Sequence, residues 1–192
     1  MESKFLLRIT MNQKPFNFIS TPNRTKKPRD QGLTMVLDKG TTPSQFRDFY
    51  DSYGEYVDIV KFGWATSRVL NEKELIEKCA VLKKNNILAC TGGTFFELAL
   101  KQKKIEEFAK EAKRVGFQAI EISDGTIILD HAEKCKWIKY FKDFGLEVFS
   151  EVGSKNAEID GRITEEHRLE MIKNEFDAGA TKVIIELSLI HI

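Results

Sequence analysis

Charged and hydroxyl side chains stand directly after short apolar runs at regular intervals along this chain of 192 residues. They are Asp38, Lys39, Lys61, Thr91–Thr94, Glu121–Asp124, Glu151–Lys155 and Glu186. Carboxylates bind hard divalent cations such as Mg²⁺, and a partly desolvated lysine pairs with phosphate or transfers a proton. If these side chains share one surface, they predict chemistry on a small anionic molecule. The alternative is that they pair with one another and only close the end of a sheet.

Two turns that contain glycine lie among these residues, TGGT at 91–94 and SDGT at 123–126. Each follows an apolar run and precedes a helical pattern, so its backbone N–H groups are placed to hold a phosphate or carboxylate. The candidate substrate-binding residues are Gly92, Gly93, Thr94 and Ser123. A tight strand-to-helix turn without a ligand is the alternative for both.

Six apolar runs of strand length must position these residues. The runs are Leu33–Leu37, Tyr56–Phe62, Ile87–Cys90, Phe117–Ile122, Leu146–Val152 and Lys182–Glu186. The helical patterns between them begin near Thr42, Asn71, Lys103, Asp130 and Thr164, and the predicted left-handed stops are Gly54, Gly116, Gly145 and Gly179. Apolar strands that alternate with helices predict an α/β fold, with a parallel sheet covered by helices.

Two architectures use such a sheet, an open doubly wound sheet and a closed barrel. The chain has no Gly-x-Gly-x-x-Gly and no Gly-x-x-x-x-Gly-Lys-Ser/Thr motif, which disfavours a nucleotide-binding open sheet. Polar residues after almost every strand favour a TIM-type (β/α)8 barrel, which collects its chemistry at the carboxyl ends of its strands. Because such a barrel needs eight βα units in about 250 residues, we expect about six of the eight here. The chain is then a fragment, or another chain completes the sheet.

The predicted organisation is an irregular basic arm over residues 1–30, an incomplete barrel over 31–186 and a tail over 187–192. All four prolines lie between Pro15 and Pro43, so the arm is predicted to lack regular structure. Its basic cluster consists of Arg24, Lys26, Lys27 and Arg29. We expect this cluster to be a solvated extension, since short basic runs are common on surfaces. A phosphate-facing role is the alternative.

The composition argues against several classes of protein. With 30 basic and 29 acidic residues the net charge is +1, so no chain-wide cationic surface for nucleic acid is expected. No apolar run approaches the roughly 20 residues of a membrane span, and the N-terminus is unlike a secretory signal. The distant cysteines Cys79, Cys90 and Cys135 indicate reduced thiols in a cytoplasmic protein.

Five motifs stand at the predicted strand ends. They are VLDKG at 36–40, VKFGWATS at 60–67, GGTFFE at 92–97, EISDGT at 121–126 and SEVGSK at 150–155. Taken together they resemble the phosphosulfolactate synthase family, and the resemblance implies a (β/α)8 barrel. It also implies a Mg²⁺-dependent lyase that adds sulfite to phosphoenolpyruvate and gives (2R)-2-phospho-3-sulfolactate. That product leads to coenzyme M in archaea and to sulfolactate in bacteria.

The resemblance implies roles for the strand-end lysines. Lys155 matches the family's proposed general acid. Lys61 and Lys39 are candidates to hold phosphate or sulfite. We assign Lys155 and Lys61, together with Glu151, to catalysis, and Lys39 to substrate binding.

The carboxylates Glu121, Asp124 and Glu151 are the candidates for the metal, and we expect Glu121 and Asp124 to bind Mg²⁺. The sequence departs from the family at Ala65, where glycine is usual, which matters only if the backbone there needs a positive φ. After Glu186 the family continues with Ala-Arg-Glu-Ser-Gly and two more strands, whereas LSLIHI follows here. We therefore expect this chain alone to leave its barrel open and to be inactive.

The leading hypothesis is a lyase that acts on small anions, with no nucleic-acid or membrane partner. The protein is also a candidate for assembly into a homo-oligomer, since barrels of this kind are often oligomeric. One alternative is a non-catalytic relative or inactive fragment with a stress-related or interaction role. Another is a different barrel enzyme that uses phosphoenolpyruvate or a sugar phosphate.

Overall fold

A computed structural model describes residues 15–154 and 157–185 of the chain. These residues form one sheet of six parallel strands, each beside the next in the sequence. The strands are β1 (Met35–Asp38), β2 (Ile59–Phe62), β3 (Leu88–Thr91), β4 (Ala119–Ile122), β5 (Glu147–Val152) and β6 (Lys182–Ile185). Sequential order is that of a (β/α)8 barrel, whereas the order reverses in a doubly wound sheet. The predicted α/β class and six-unit partial barrel are confirmed.

Helices cover the outer side of this sheet. They are α1 (Pro43–Tyr53), α2 (Thr66–Val69), α3 (Glu72–Lys84), α4 (Gly93–Lys101), α5 (Ile105–Val115), α6 (His131–Asp143), α7 (Ala157–Asp160) and α8 (Glu165–Ala178). In the described residues, none of these helices has the length and apolar character that a membrane crossing requires. The tail over 187–192, residues 1–14, Lys155 and Glu186 lie outside the described residues, so the predictions on them stay predictions.

Side-chain caps determine where several helices begin. The Thr42 hydroxyl accepts from the Gln45 amide and the Gln45 side chain accepts from the Thr42 amide, which is a capping box ahead of Pro43. Asp130 and Thr164 cap α6 and α8 with their side chains. Three of the five predicted helix starts therefore have a side-chain capping hydrogen bond.

Two details of the predicted helices are corrected by the structure. Gly54 has a φ of −56° and begins a short 3₁₀ turn, so it is not a left-handed stop, whereas Gly116, Gly145 and Gly179 have a positive φ just past a helix. Between β3 and β4 the predicted series gives one helix start, near Lys103, and a helix is expected after the TGGT turn, whereas the structure has two separate helices, α4 (Gly93–Lys101) and α5. Since Lys103 has a φ of +57°, the chain turns between α4 and α5 instead of continuing as one helix.

The two faces of the sheet carry different side chains. On the outer face, residues such as Val60, Phe62 and Ile120 pack under the helices in the main core. The inner face carries a small apolar cluster of Ile59, Cys90, Ala119 and Phe149. Toward the carboxyl ends of the strands, the side chains on the inner face become charged. Lys61, Glu121 and Glu151 each follow a member of this cluster by two positions on the same strand.

The basic arm docks on the amino-terminal end of the sheet, so the predicted solvated extension is wrong for three of its four basic residues. Arg29 Nη1 lies 2.6 Å and Arg24 Nη2 3.1 Å from the carboxylate of Asp58, which directly precedes β2. Lys27 Nζ donates to the backbone carbonyl oxygens of Gly54 (2.6 Å) and Asn85 (3.2 Å). The physical reason is the buried Asp58 carboxylate, which needs cationic partners when it leaves water.

We expect Asp58→Asn to destabilise the protein by about 2 kcal/mol at neutral pH, because hydrogen bonds to a charged group are weakened. Burial alone raises the pKa of Asp58, but the Thr34 amide and the arginines outweigh it, so the pKa lies below the ordinary 3.8. The stabilisation is therefore complete above pH 3.8 and is lost as the pH falls through the lowered pKa. Urea unfolding of both proteins across this range should converge at low pH, and an equal difference at every pH would contradict the account.

Candidate active site

Three charged side chains meet on the inner face near the carboxyl ends of the strands. Lys61 Nζ of β2 lies 2.8 Å from Glu121 Oε2 of β4. Glu151 of β5 is buried beside them, and its charge acts on both. The Lys61 side chain is 19% exposed and that of Glu121 3%. The lysine is therefore the member of this pair that a ligand can reach.

The electrostatics keep Lys61 positively charged. Burial alone lowers its pKa, but the carboxylates of Glu121 and Glu151 outweigh burial, and the net pKa is raised. Burial raises the pKa of Glu121, Glu151 adds to this, and Lys61 opposes it. A lysine held as a cation stabilises negative charge on a ligand and does not serve as a base.

The TGGT turn at 91–94 is shaped by close packing. Gly93 N donates to Glu121 Oε1 at 2.9 Å. A Cβ on Gly93 would lie 2.3 Å from Ser123 Oγ, and one on Gly92 would lie 2.9 Å from the carbonyl oxygen of Phe62. Glycine at both positions therefore lets the start of α4 approach β2 and β4. Because Glu121 already binds the Gly93 N–H, the substrate-binding role assigned to Gly92, Gly93 and Thr94 stays a prediction.

Glu97 of α4 determines the shape of the SDGT turn at 123–126. Its carboxylate accepts from the backbone N–H groups of Gly125 and Thr126, both at 3.0 Å. It also accepts from the hydroxyl groups of Ser123 and Thr126. Since Ser123 is buried and bound to Glu97, its predicted contact with substrate also stays a prediction.

The loop after β1 is organised by a buried ion pair. Asp38 accepts from the amides of Gly40 and Thr41 and from Lys78 Nζ of α3 at 2.7 Å. The next residue, Lys39, is exposed, with Nζ 4.3 Å from the ring centroid of Trp64. This is cation–π geometry. In the described part of the chain, Lys39 thus contacts the β2–α2 loop and not the Lys61–Glu121 pair.

The β2–α2 loop contains two consecutive residues in the left-handed region. Trp64 has a φ of +48° and Ala65 a φ of +57°. Alanine at position 65, where the resemblance led us to expect glycine, is therefore strained by on the order of 1 kcal/mol. Trp64 is largely exposed, and its ring lies beside Lys39 after the carboxyl end of β2.

Glu121 and Asp124, as they lie, do not fit a metal site. Glu121 is bound to Lys61 and to the Gly93 amide, and Asp124 Oδ1 lies 2.9 Å from Lys134 Nζ. Within residues 15–154 and 157–185, no three His, Cys, Asp or Glu side chains are grouped as metal ligands. Both carboxylates therefore have lysine partners. Their role as metal ligands remains a prediction, and these contacts do not support it.

Four buried charged residues that hold the loops around the site were not singled out by the sequence analysis. They are Lys78, Glu97, Lys134 and Glu175. One signal was present in the sequence, since Lys134 is spaced with Ile138 and Phe141 on one helical face, and a charge on an apolar face requires a buried partner. The partners themselves come from distant segments, which helical spacing does not reveal.

Known proteins are similar to this chain over most of its length. Residues 22–188 match the model of the family described as (2R)-phospho-3-sulfolactate synthase (ComA). A phosphosulfolactate synthase of Methanothermobacter thermautotrophicus is 39% identical over 171 residues, 89% of this chain and 66% of that protein. One of Bacillus subtilis is 43% identical over 168 residues, 88% of this chain and 66% of that protein. The chain thus spans just under two-thirds of the length of these relatives.

Solved structures of other enzymes share the fold. The carboxyl transferase domain of Rhizobium etli pyruvate carboxylase with 3-bromopyruvate superposes with a TM-score of 0.52 at 14% identity, over 79% of this chain and 26% of that one. The same domain with pyruvate gives 0.51 at 16% identity, over 79% and 27%. At this identity the likeness concerns the fold alone, which is that of a partial TIM barrel.

We expect Glu97→Gln to destabilise the protein by roughly 2–3 kcal/mol, since its amide group would face donors that now bind a carboxylate. Hydrogen exchange at Gly125 and Thr126 should accelerate most. Glu107→Gln on α5, an exposed glutamate with a surface lysine partner, is the matched control and should change little. Equal effects of the two substitutions would contradict the role given to Glu97.

Proposed function

Because the chain belongs to the (2R)-phospho-3-sulfolactate synthase family, we propose that the protein adds sulfite to phosphoenolpyruvate and forms (2R)-2-phospho-3-sulfolactate. The observation that carries this proposal is Lys61, a partly exposed cation beside buried carboxylates at the carboxyl ends of the strands. That end of a barrel is where catalytic groups collect. Both substrates are anions, so they suit a site whose accessible group is a cation.

The proposed reaction forms one carbon–sulfur bond and takes up one proton. The sulfur lone pair of sulfite attacks the methylene carbon of phosphoenolpyruvate, and the electrons of the carbon–carbon double bond move onto the adjacent carbon and the substrate carboxylate. That carbon then accepts a proton, while the phosphate ester remains attached. The enzyme must therefore stabilise a transient enediolate-like charge and deliver a proton to one face.

Lys61 suits the first task. Its ammonium stays charged because Glu121 and Glu151 lie near it, and the ion pair with Glu121 at 2.8 Å keeps it at the inner face. A preorganised cation stabilises developing negative charge without rearranging during the reaction. We assign Lys61 to the carboxylate of phosphoenolpyruvate, where that charge develops.

Lys155 suits the second task in our proposal, as the general acid that the family resemblance implies. It lies outside the described residues, but the segment that leads to it is anchored. Ser154 N donates to Asp160 Oδ1 at 3.0 Å, and Arg168 Nη2 lies 3.1 Å from the same oxygen. Lys39, exposed at the mouth beside Trp64, is the candidate for the phosphate group.

Mg²⁺ dependence is a further part of the proposal and derives from the resemblance. When bound, the ion would supply charge stabilisation at the substrate oxygens. Because Glu121 and Asp124 are already paired with lysines, they are disfavoured as ligands of the ion. The roles proposed for Lys61 and Lys155 do not depend on which residues hold it.

The protein made from its complete coding sequence should consume sulfite and phosphoenolpyruvate in equal amounts, with the product followed by ³¹P and ¹³C NMR. Lys155→Ala should lower kcat roughly 10²–10⁴-fold, the usual contribution of a general acid. Lys136→Met, an exposed position on α6, is the control and should leave kcat unchanged. Absence of sulfite-dependent turnover in the wild type, or full activity of Lys155→Ala, would refute the proposal.

Glu121→Gln should lower kcat, because the directed contact with Lys61 is weakened. The same variant should leave the Mg²⁺ concentration for half-maximal rate unchanged, since its carboxylate binds lysine and a backbone amide. Steady-state rates across a Mg²⁺ titration measure both effects. A clearly higher Mg²⁺ requirement with unchanged kcat would show that Glu121 is a metal ligand after all.

A further inference from the structure

Lys134 of α6 is buried on the helix side of β4 and β5, with a side chain that is 0% exposed. Its Nζ donates to Asp124 Oδ1 at 2.9 Å and to the backbone carbonyl oxygen of Glu151. It also lies 3.0 Å from Glu175 Oε1 of α8. One ammonium group therefore joins the turn after β4, the end of β5 and the last described helix.

The surroundings keep this lysine charged. Burial alone lowers its pKa, but Glu175 and Asp124 outweigh burial and raise it. Glu175 is itself fully buried and accepts from the hydroxyl of Ser150 in β5. The charge of Lys134 is thus balanced inside the protein, and the group is not part of the Lys61 cluster.

The contact with the Glu151 carbonyl is more than charge balance requires. A lysine that only neutralised Glu175 would need no bond to a strand end, and buried ion pairs of that kind are often replaceable by apolar residues. Here the ammonium donates to two segments that bear predicted site residues, at Asp124 and Glu151, and forms an ion pair with a third, at Glu175. Glu151 is also only four residues before Lys155.

We propose that Lys134 is a positioning residue, which holds Asp124 and the Glu151 backbone so that the segment over residues 151–154 keeps its place and the Glu151 side chain stays beside Lys61 and Glu121. This inference rests on the proposed function and concerns the same site. The segment is then fixed at two points, the Glu151 carbonyl by Lys134 and the Ser154 amide by Asp160. Misplacement of a catalytic group by about 1 Å costs on the order of 10²-fold in rate.

The experiment must separate positioning from stability, because Lys134→Met alone leaves the charge of Glu175 buried. We would therefore compare Lys134→Met with the double variant Lys134→Met/Glu175→Gln, which removes both charges. Glu175→Gln alone keeps the bonds from Lys134 to Asp124 and Glu151. Lys136→Met on the same helix is the matched control, since the same change is made at an exposed residue.

In the double variant, thermal stability should recover most of the loss seen in Lys134→Met, while kcat stays on the order of 10²-fold below wild type with little change in the KM for phosphoenolpyruvate. Glu175→Gln should lose stability yet keep most of its kcat. Recovery of kcat together with stability in the double variant would overturn the proposal, because Lys134 would then act only through the fold.

Hydrogen exchange provides a readout that does not depend on turnover. The double variant should exchange faster at Gly125, Thr126, Gly153 and Ser154, with β4 and β5 still protected. Unchanged exchange at these amides would overturn the positioning role even in an active enzyme. If the wild type shows no sulfite-dependent turnover but the exchange pattern appears, the proposed function fails and the anchoring by Lys134 stands.

Discussion

The buried carboxylate of Glu121 is the contact on which the rest of the site depends. One oxygen accepts the Gly93 N–H at the start of α4, and the other lies 2.8 Å from Lys61. A carboxylate in this position is costly unless both oxygens have partners. Glu121 therefore links β2, β4 and α4. Glycine at 93 is also required, because a Cβ there would lie 2.9 Å from the carboxylate.

The same arrangement recurs around the half-barrel. Asp38 is paired with Lys78, and Asp124 with Lys134, each at a strand end and each with a lysine from a helix. These pairs contribute little net stability compared with apolar packing, but each is destabilising if only one partner is removed. Their effect is to fix the loops at the carboxyl ends. Lys61 differs in that its partner, Glu121, lies on another strand, with β3 between them, and its side chain remains partly exposed.

The parts of this structure that depend on local sequence were predictable. Apolar runs located all six strands, and their polar ends indicated the face on which Lys61, Glu121 and Glu151 meet. A helix was expected after the TGGT turn, but the division into α4 and α5 at Lys103, which has a positive φ, was not predicted. Nor was the docking of Arg29 on Asp58, 29 residues away. Contacts between distant segments also define Glu97 and Lys134. Helical spacing places Lys134 on an apolar face, but it does not reveal which residues pair with either side chain.

The central claim is that the accessible ammonium of Lys61 binds the carboxylate of phosphoenolpyruvate. A crystal structure of the protein from its complete coding sequence, soaked with phosphoenolpyruvate in the absence of sulfite, tests this most directly. The account predicts a substrate carboxylate oxygen within hydrogen-bond distance of Lys61 Nζ, with Glu121 still in contact with the lysine. Substrate bound elsewhere, with no oxygen near Lys61, would contradict it.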